Sequence, residues 1–191
     1  EQEKLIALLR RTADSRRGLD AWAALAYAAE AAAMTDDLYI MRSVLRPETA
    51  GAVPGYGGEG AIRAAMREAA RTVTVEPRVS GDSSGRAAAA FAEVLTRRGF
   101  RTGGGTGTCV LRARLTVEDT DQRGGGFVYA RWNLSAVMAE SAGAELFAWS
   151  ESGREGHTNR REARERALRR AEEAVTTNFA GALDDWAASR L

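Results

Sequence analysis

The stretch from Thr158 to Ala188 constrains the fold most, because it reads as one long amphipathic helix. Its apolar positions run Ala163, Ala167, Ala171, Ala174 and Val175, then Asn178 and Phe179, Ala182 and Leu183, and Trp186. Steps of three and four line one face of a helix with 3.6 residues per turn. Arg and Glu alternate densely between them. A helix of this kind needs a complementary apolar surface, and the strands before it can supply one.

Those strands show in the alternation. Thr72 to Val79 places Val73, Val75 and Val79 on one face, and Thr72, Thr74, Glu76 and Arg78 on the other. Pro77 cannot donate to a ladder, which argues for an edge position or an early end. Thr108 to Glu118 alternates Cys109, Leu111, Ala113, Leu115 and Val117 against Val110, Arg112, Arg114, Thr116 and Glu118. The turn Asp119 to Gly125 then leads to Gly126 to Glu140, where Val128, Ala130, Trp132, Leu134, Ala136 and Met138 share a face. Phe127, Tyr129 and Val137 make the other face less than fully polar. A short strand at Phe100 to Thr102 and another at Glu145 to Glu151 complete the set. Short turns between successive strands predict an antiparallel meander.

Helices punctuate the rest. Glu3 to Ser15 and the Ala-rich Asp20 to Met34 form a hairpin broken at Arg16-Arg17-Gly18, similar to a tetratricopeptide-type pair without the repeats of an array. Thr35 is a candidate N-cap for a third helix through Tyr39, Ile40, Met41 and Leu45. Pro47 to Gly60, with two Pro and five Gly, reads as a linker. Helices follow at Ala61 to Arg71 and Gly85 to Arg98, the latter stopped by Gly99. The prediction is an α+β fold: an antiparallel sheet of four or five strands with helices on one face, after an N-terminal helical hairpin. Its segments are 1–46 (hairpin), 47–60 (linker) and 61–191 (α+β domain).

Charge and composition narrow the function classes. The net charge is +1, so no global field draws in nucleic acid or an anionic membrane. Lys4 is the one lysine among 27 basic residues, a bias that fits GC-rich coding. With Cys109 the one cysteine, no intramolecular disulfide forms. No run reaches the ~20 apolar residues of a membrane span. The start at Glu1-Gln2-Glu3, without Met, reads as a processed or truncated product.

Each motif that suggests chemistry has a plainer explanation. Gly81-Asp82-Ser83-Ser84-Gly85 has the look of a serine nucleophile with His157 as the one available base. Between a strand and a helix, however, Asp82, Ser83 or Ser84 is better used as a helix cap. Gly103 to Gly107 lacks the Lys-Ser/Thr ending of a phosphate loop and leads into a strand, so it reads as a turn. His157 and Cys109 lack partners at ligand spacing, so no metal or other cofactor is predicted. Asn159 should cap the final helix, with Glu162 reciprocating. The arginines from Arg160 to Arg170 are matched by glutamates, with Glu162–Arg166 and Glu165–Arg169 in the favourable (i, i+4) order, and so form a solvated face.

The segment Val79-Ser80-Gly81-Asp82-Ser83-Ser84-Gly85 is followed by a helix ending Leu95-Thr96-Arg97-Arg98-Gly99-Phe100, then by Val110-Leu111-Arg112-Ala113-Arg114-Leu115. Gly153-Arg154-Glu155-Gly156 follows, leading into Glu162-Ala163 and Ala167-Leu168. Together, over Ile62 to Trp186, they resemble bacterial envelope lipoproteins of the flagellar-sheath outer-membrane type. That group is related in fold to the TolB amino-terminal domain and to penicillin-binding-protein activator lipoproteins. The resemblance implies a non-enzymatic periplasmic protein, anchored at the outer membrane by a lipidated Cys that this chain lacks. It implies action through protein contacts in outer-membrane or flagellar assembly. The partners would be envelope proteins, peptidoglycan-associated ones among them, with no nucleic acid. A small-ligand or peptide-binding module in a groove between the N-terminal helices and the sheet is the alternative. Tyr129, Trp132, Trp149 and Trp186 are the candidate partner or ligand surface. The apolar end of the last helix, Phe179 to Trp186, is expected to dock on the N-terminal helical segment.

Overall fold

A computed structural model describes residues 1–49, 51, 54–103, 108–124 and 126–190, with the backbone alone at 49 and 121–124. The chain forms two compact units, Glu1–Val73 with the segment from Asp184 onward, and Thr74–Leu183.

The first unit is helical. α1 (Gln2–Ser15) and α2 (Gly18–Leu45) form the hairpin, and α3 (Glu59–Arg71) packs on α2. Ile6 and Leu9 of α1 bury against Ala24, Ala28 and Ala32 of α2, with Tyr56 and Ile62 closing the cluster. Small alanines let the backbones approach closely. Thr35 caps nothing: α2 continues through it as one 28-residue helix. Its buried hydroxyl donates to Ala31 O at 2.7 Å and bonds Gln2 Oε1 at 3.0 Å, satisfying it inside the helix. Asp36, one residue on, is the hub of the unit. Its carboxylate accepts from Glu59 N at 2.8 Å, capping α3 from a distance, and from the Tyr56 hydroxyl. Tyr56, in the Gly/Pro segment just before this cap, packs into the helical unit as well: it is 5% exposed, and Arg10 donates to its carbonyl. From Asp184 the C-terminal segment belongs to this unit, where Arg190 pairs with Asp20 at 3.8 Å.

The second unit is α+β, as the alternation predicts. Its five strands are β1 (Thr74–Ser80), β2 (Arg101–Thr102), β3 (Cys109–Gly124), β4 (Phe127–Glu140) and β5 (Glu145–His157). They lie in the order β2-β1-β3-β4-β5. β3, β4 and β5 form the expected antiparallel meander, whereas β1 is parallel to both β2 and β3, so the sheet is mixed. The helix between β1 and β2, α4 (Arg86–Arg97), is the crossover that makes this possible. Pro77 is accommodated because β2 pairs only with Thr74 and Val75, leaving that side of Pro77 without a ladder. β3 runs on through the predicted turn at 119–124, taking its hairpin to the tip, and β5 runs six residues beyond the predicted strand end at Glu151. The predicted Gly-rich turn at 103–107 lies, from 104 onward, outside the described residues.

One sheet face carries Val75, Leu111, Leu115, Leu134, Ala136 and Met138, all buried against helices. α4 contributes Phe91, Val94 and Leu95. Gly99, at φ +90°, ends it as expected, with Phe100 N bonded to Leu95 O at 3.1 Å. The last long helix is in three parts: α5 (Arg160–Ala174), a π-turn (Val175–Phe179) and α6 (Ala180–Ser189). The reason lies in its spacing. Ala163, Ala167, Ala171, Val175, Phe179, Leu183 and Ala187 are all buried, each four residues from the last. Four residues advance about 400° on an α-helix, so such a series drifts about 40° per step around the axis. A wider π-turn takes up part of that drift.

Candidate functional site

Within the α+β unit, α4 and α5 pack on one face of the sheet. The other face follows from strand alternation and register. Arg78 lies beside Arg112, followed across the sheet by Val137 and Ala148. The next rows are Ser80, Arg114, Ser135 and Ser150, and then Thr116, Asn133 and Ser152. Beyond them come Glu118, Arg131 and Arg154, then Thr120, Tyr129 and Gly156. Arg112, Arg114, Arg131, Asn133, Ser135, Ser150, Ser152 and Arg154 are all exposed. The result is an open face of short side chains, Ala, Ser, Thr and Asn, with arginines on β1, β3, β4 and β5.

Arginine outnumbers carboxylate across these rows. Glu76 neutralises Arg78 at 2.9 Å, and that ion pair holds the Glu76 carboxyl below the usual carboxylate range. Glu118 stands opposite Arg131 in register. Among the described residues Arg112, Arg114 and Arg131 have no ion pair. Arg154 is held by its guanidinium lying 4.8 Å from the centre of the Tyr129 ring.

The four candidate aromatics do not meet on one surface. Tyr129 is half-buried on the open face, beneath Arg154. Trp132 is 4% exposed and faces the helices, so it cannot line a ligand surface. Trp149 is half-buried on that same inner side, packed edge-on to Phe179 at 5.6 Å and Phe91 at 6.3 Å. Trp186 is half-buried and belongs to the helical unit. The inward set follows from strand parity, which puts even-numbered β4 residues under the helices. Parity also marks Arg112, Arg114 and Arg131 as one exposed face, but only register brings Arg154 alongside them.

The other motifs are structural. Asp82 does cap α4: Ala88 N donates to its carboxylate at 3.0 Å and Ser84 Oγ at 2.9 Å. Burial pushes the Asp82 carboxyl up, yet the hydrogen bonds from Ala88, Ser84, Ala87 and Gly85 outweigh it and hold it below its ordinary value. Asn159 caps α5 by accepting from Arg161 N at 2.8 Å. The reciprocal bond is not made by Glu162: Asn159 N donates to His157 Nδ1 at 3.1 Å. The α5 arginines pair outward from the helix. Arg160 and Arg164 reach Asp119 of β3, and Arg170 reaches Glu155 of β5. Arg170 also pairs along the helix with Glu173 at 2.6 Å, while the expected Glu162–Arg166 and Glu165–Arg169 pairs are not formed among the described residues. Burial raises the Cys109 thiol above its usual range. Among the described residues no group of three or more His, Cys, Asp or Glu could hold a metal ion. No described helix is long and apolar enough to cross a membrane.

In the helical unit the outer part of α2 exposes Met34, Leu38, Ile40, Met41, Val44 and Leu45. A cleft of about 510 Å³ lies between α1 and the Gly55-Tyr56 turn, walled by Arg10, Arg11 and Asp14.

No family model matches the sequence, and no curated protein does. Among solved structures, the chain is similar to a minor lipoprotein from Acinetobacter baumannii, at 12% identity and a TM-score of 0.44. That likeness covers 62% of this chain and 94% of the other. It is also similar to the rare lipoprotein B from Shewanella oneidensis, at 12% identity and a TM-score of 0.40, covering 61% and 94%.

Proposed function

We propose that this chain is a non-enzymatic protein of the bacterial envelope that works by holding other proteins, in outer-membrane or flagellar assembly. The observation that supports a binding role is the open face of the sheet. Five arginines gather there on a flat floor of short side chains, against Glu76 and Glu118. A surface on which arginine predominates, with Arg112, Arg114 and Arg131 outside any ion pair among the described residues, attracts and orients a partner of opposite sign. The envelope setting rests on the resemblance carried by Val79–Gly85, Val110–Leu115 and Gly153–Gly156 within Ile62 to Trp186. In that setting the protein works in the periplasm, tethered to the outer membrane through a lipidated Cys outside this chain.

The test is fractionation of the full gene product in a Gram-negative cell, with a photo-crosslinking residue at Ser135. The expected result is sedimentation with the outer membrane and a discrete protein adduct, absent when the crosslinker stands at Arg67 on α3. A product confined to the cytosol, or equal adducts from both positions, would overturn the proposal.

A further inference from the structure

β5 is the last strand of the sheet, and one backbone edge of its 13 residues has no strand partner among the described residues. An unpaired edge of that length is a template for another strand unless something guards it. Two charges that point to the helix side of β5 are such guards. Glu151 accepts from Asn178 Nδ2 at 2.8 Å, and Glu155 pairs with Arg170 at 3.6 Å. They discourage an indiscriminate apolar strand. On the open face the same edge carries Ser150, Ser152 and Arg154, with Arg131 next to Arg154 in register. Arg154 therefore stands at the free edge, placed over the Tyr129 ring, with Arg131 one strand in, between it and Glu118.

We propose that β5 accepts an extended acidic segment of a partner protein as a sixth strand, with carboxylates at alternate positions on the Arg131–Arg154 side. This inference rests on the protein-binding reading above and specifies the partner's chemistry. A strand added to β5 places every second side chain on the open face, about 4.5–5.5 Å between Cβ atoms from its neighbour on β5. An acidic residue opposite Arg154 reaches that guanidinium, and Arg131 adds to the field. The intervening residues turn to the helix side, towards half-buried Trp149 and the carboxylates of Glu151 and Glu155, where neutral side chains fit. Main-chain hydrogen bonds supply affinity and the alternating acids supply register. A nucleic acid would use the arginines but not the backbone edge. The Tyr129 ring it would stack on is already covered by Arg154.

The test uses the whole chain and three labelled peptides of about twelve residues, read by fluorescence anisotropy at low salt. One alternates Glu and Thr, one has the same composition in two blocks, and one is the alternating peptide with N-methyl groups on one backbone edge. The alternating peptide should bind at least about tenfold tighter than either other form. Arg131→Glu with Arg154→Glu should remove about tenfold or more, while Arg67→Glu should not. Melting curves confirm that these exposed substitutions leave the fold intact. Equal binding of the three peptides overturns strand addition. So does binding of oligothymidylate that is lost on charge reversal without any peptide preference. If the peptides fail while the Ser135 adduct persists, strand addition is wrong and the protein-binding reading stands; if both fail, both are wrong.

Discussion

Gly153 and Trp132 face each other across the β4–β5 ladder, and a Cβ at 153 would lie 2.7 Å from Trp132 Nε1. The indole is 4% exposed and packed under the helices, so it cannot swing aside. Its Nε1 is also buried without a hydrogen-bond partner among the described residues. Gly153→Ala should therefore overpack the inner face and cost about 1–3 kcal/mol by urea unfolding. Adding Trp132→Phe shrinks the ring and removes the unpaired N–H. The double variant should recover at least about 0.5 kcal/mol relative to the sum of the singles. Strict additivity would mean the two residues are not in conflict.

Asp36 should be the most sensitive polar position of the helical unit. It accepts both the Glu59 amide and the Tyr56 hydroxyl. Asp36→Ala removes the acceptor of the Glu59 amide and leaves the Tyr56 hydroxyl only Ala32 O at 3.5 Å, so a loss of about 1–3 kcal/mol is expected in denaturant melts. Asp36→Asn, which keeps an acceptor oxygen, should lose less.

Alkaline pH should act through Tyr56. Burial raises its hydroxyl well above the ordinary tyrosine value, and its bond to Asp36 adds to the shift. A folded-state pKa above the unfolded one gives stability that is complete below about pH 10 and falls as pH rises further. Thermal melts should lose midpoint above pH 10, and Tyr56→Phe should flatten that limb. An unchanged slope in the variant would remove Tyr56 as the cause.

Acid should act through Asp82, in the opposite sense. Its hydrogen bonds hold the folded-state pKa below the unfolded one. The stabilisation is therefore present above about pH 4 and fades as pH falls through the folded value. Asp82→Ala should cost about 0.5–2 kcal/mol at neutral pH and make acid unfolding shallower. Ser83→Ala should change little, because Ser83 is exposed and caps nothing.

The outer part of α2 should tolerate charge. Leu38 and Met41 are 53% and 58% exposed. Leu38→Glu and Met41→Glu should shift stability by no more than about 0.5 kcal/mol, while lowering the fluorescence of a bound apolar dye. A larger loss would mean these side chains are packed in solution.

Much of the fold was legible because it depends on local periodicity. Alternation at Cys109–Val117 and Val128–Met138 sorted inner from outer residues correctly, since successive strand residues must point to opposite faces. The caps at Asp82 and Asn159 were legible for the same reason, being bonds within a few residues. Thr35 misled because a cap residue and a residue bonding back to its own helix have the same side chain. In the fold the Thr35 hydroxyl is taken up by Ala31 O and Gln2 Oε1, and α2 continues through it. The aromatic surface failed because Trp132 and Trp149 lie on the inner side of their strands, where their size fills the core.

By itself, then, the sequence determined the elements, their buried faces, the α+β class and the capping chemistry, all of which arise from contacts between near neighbours. Tertiary structure alone decided that β1 runs parallel to β3, that the four-residue series from Ala163 needs a π-turn, and that Arg154 joins Arg131 beside a free edge. These depend on register and connection across long separations. Strand periodicity is the same for parallel and antiparallel neighbours, and it does not indicate which residues of two strands will stand opposite each other.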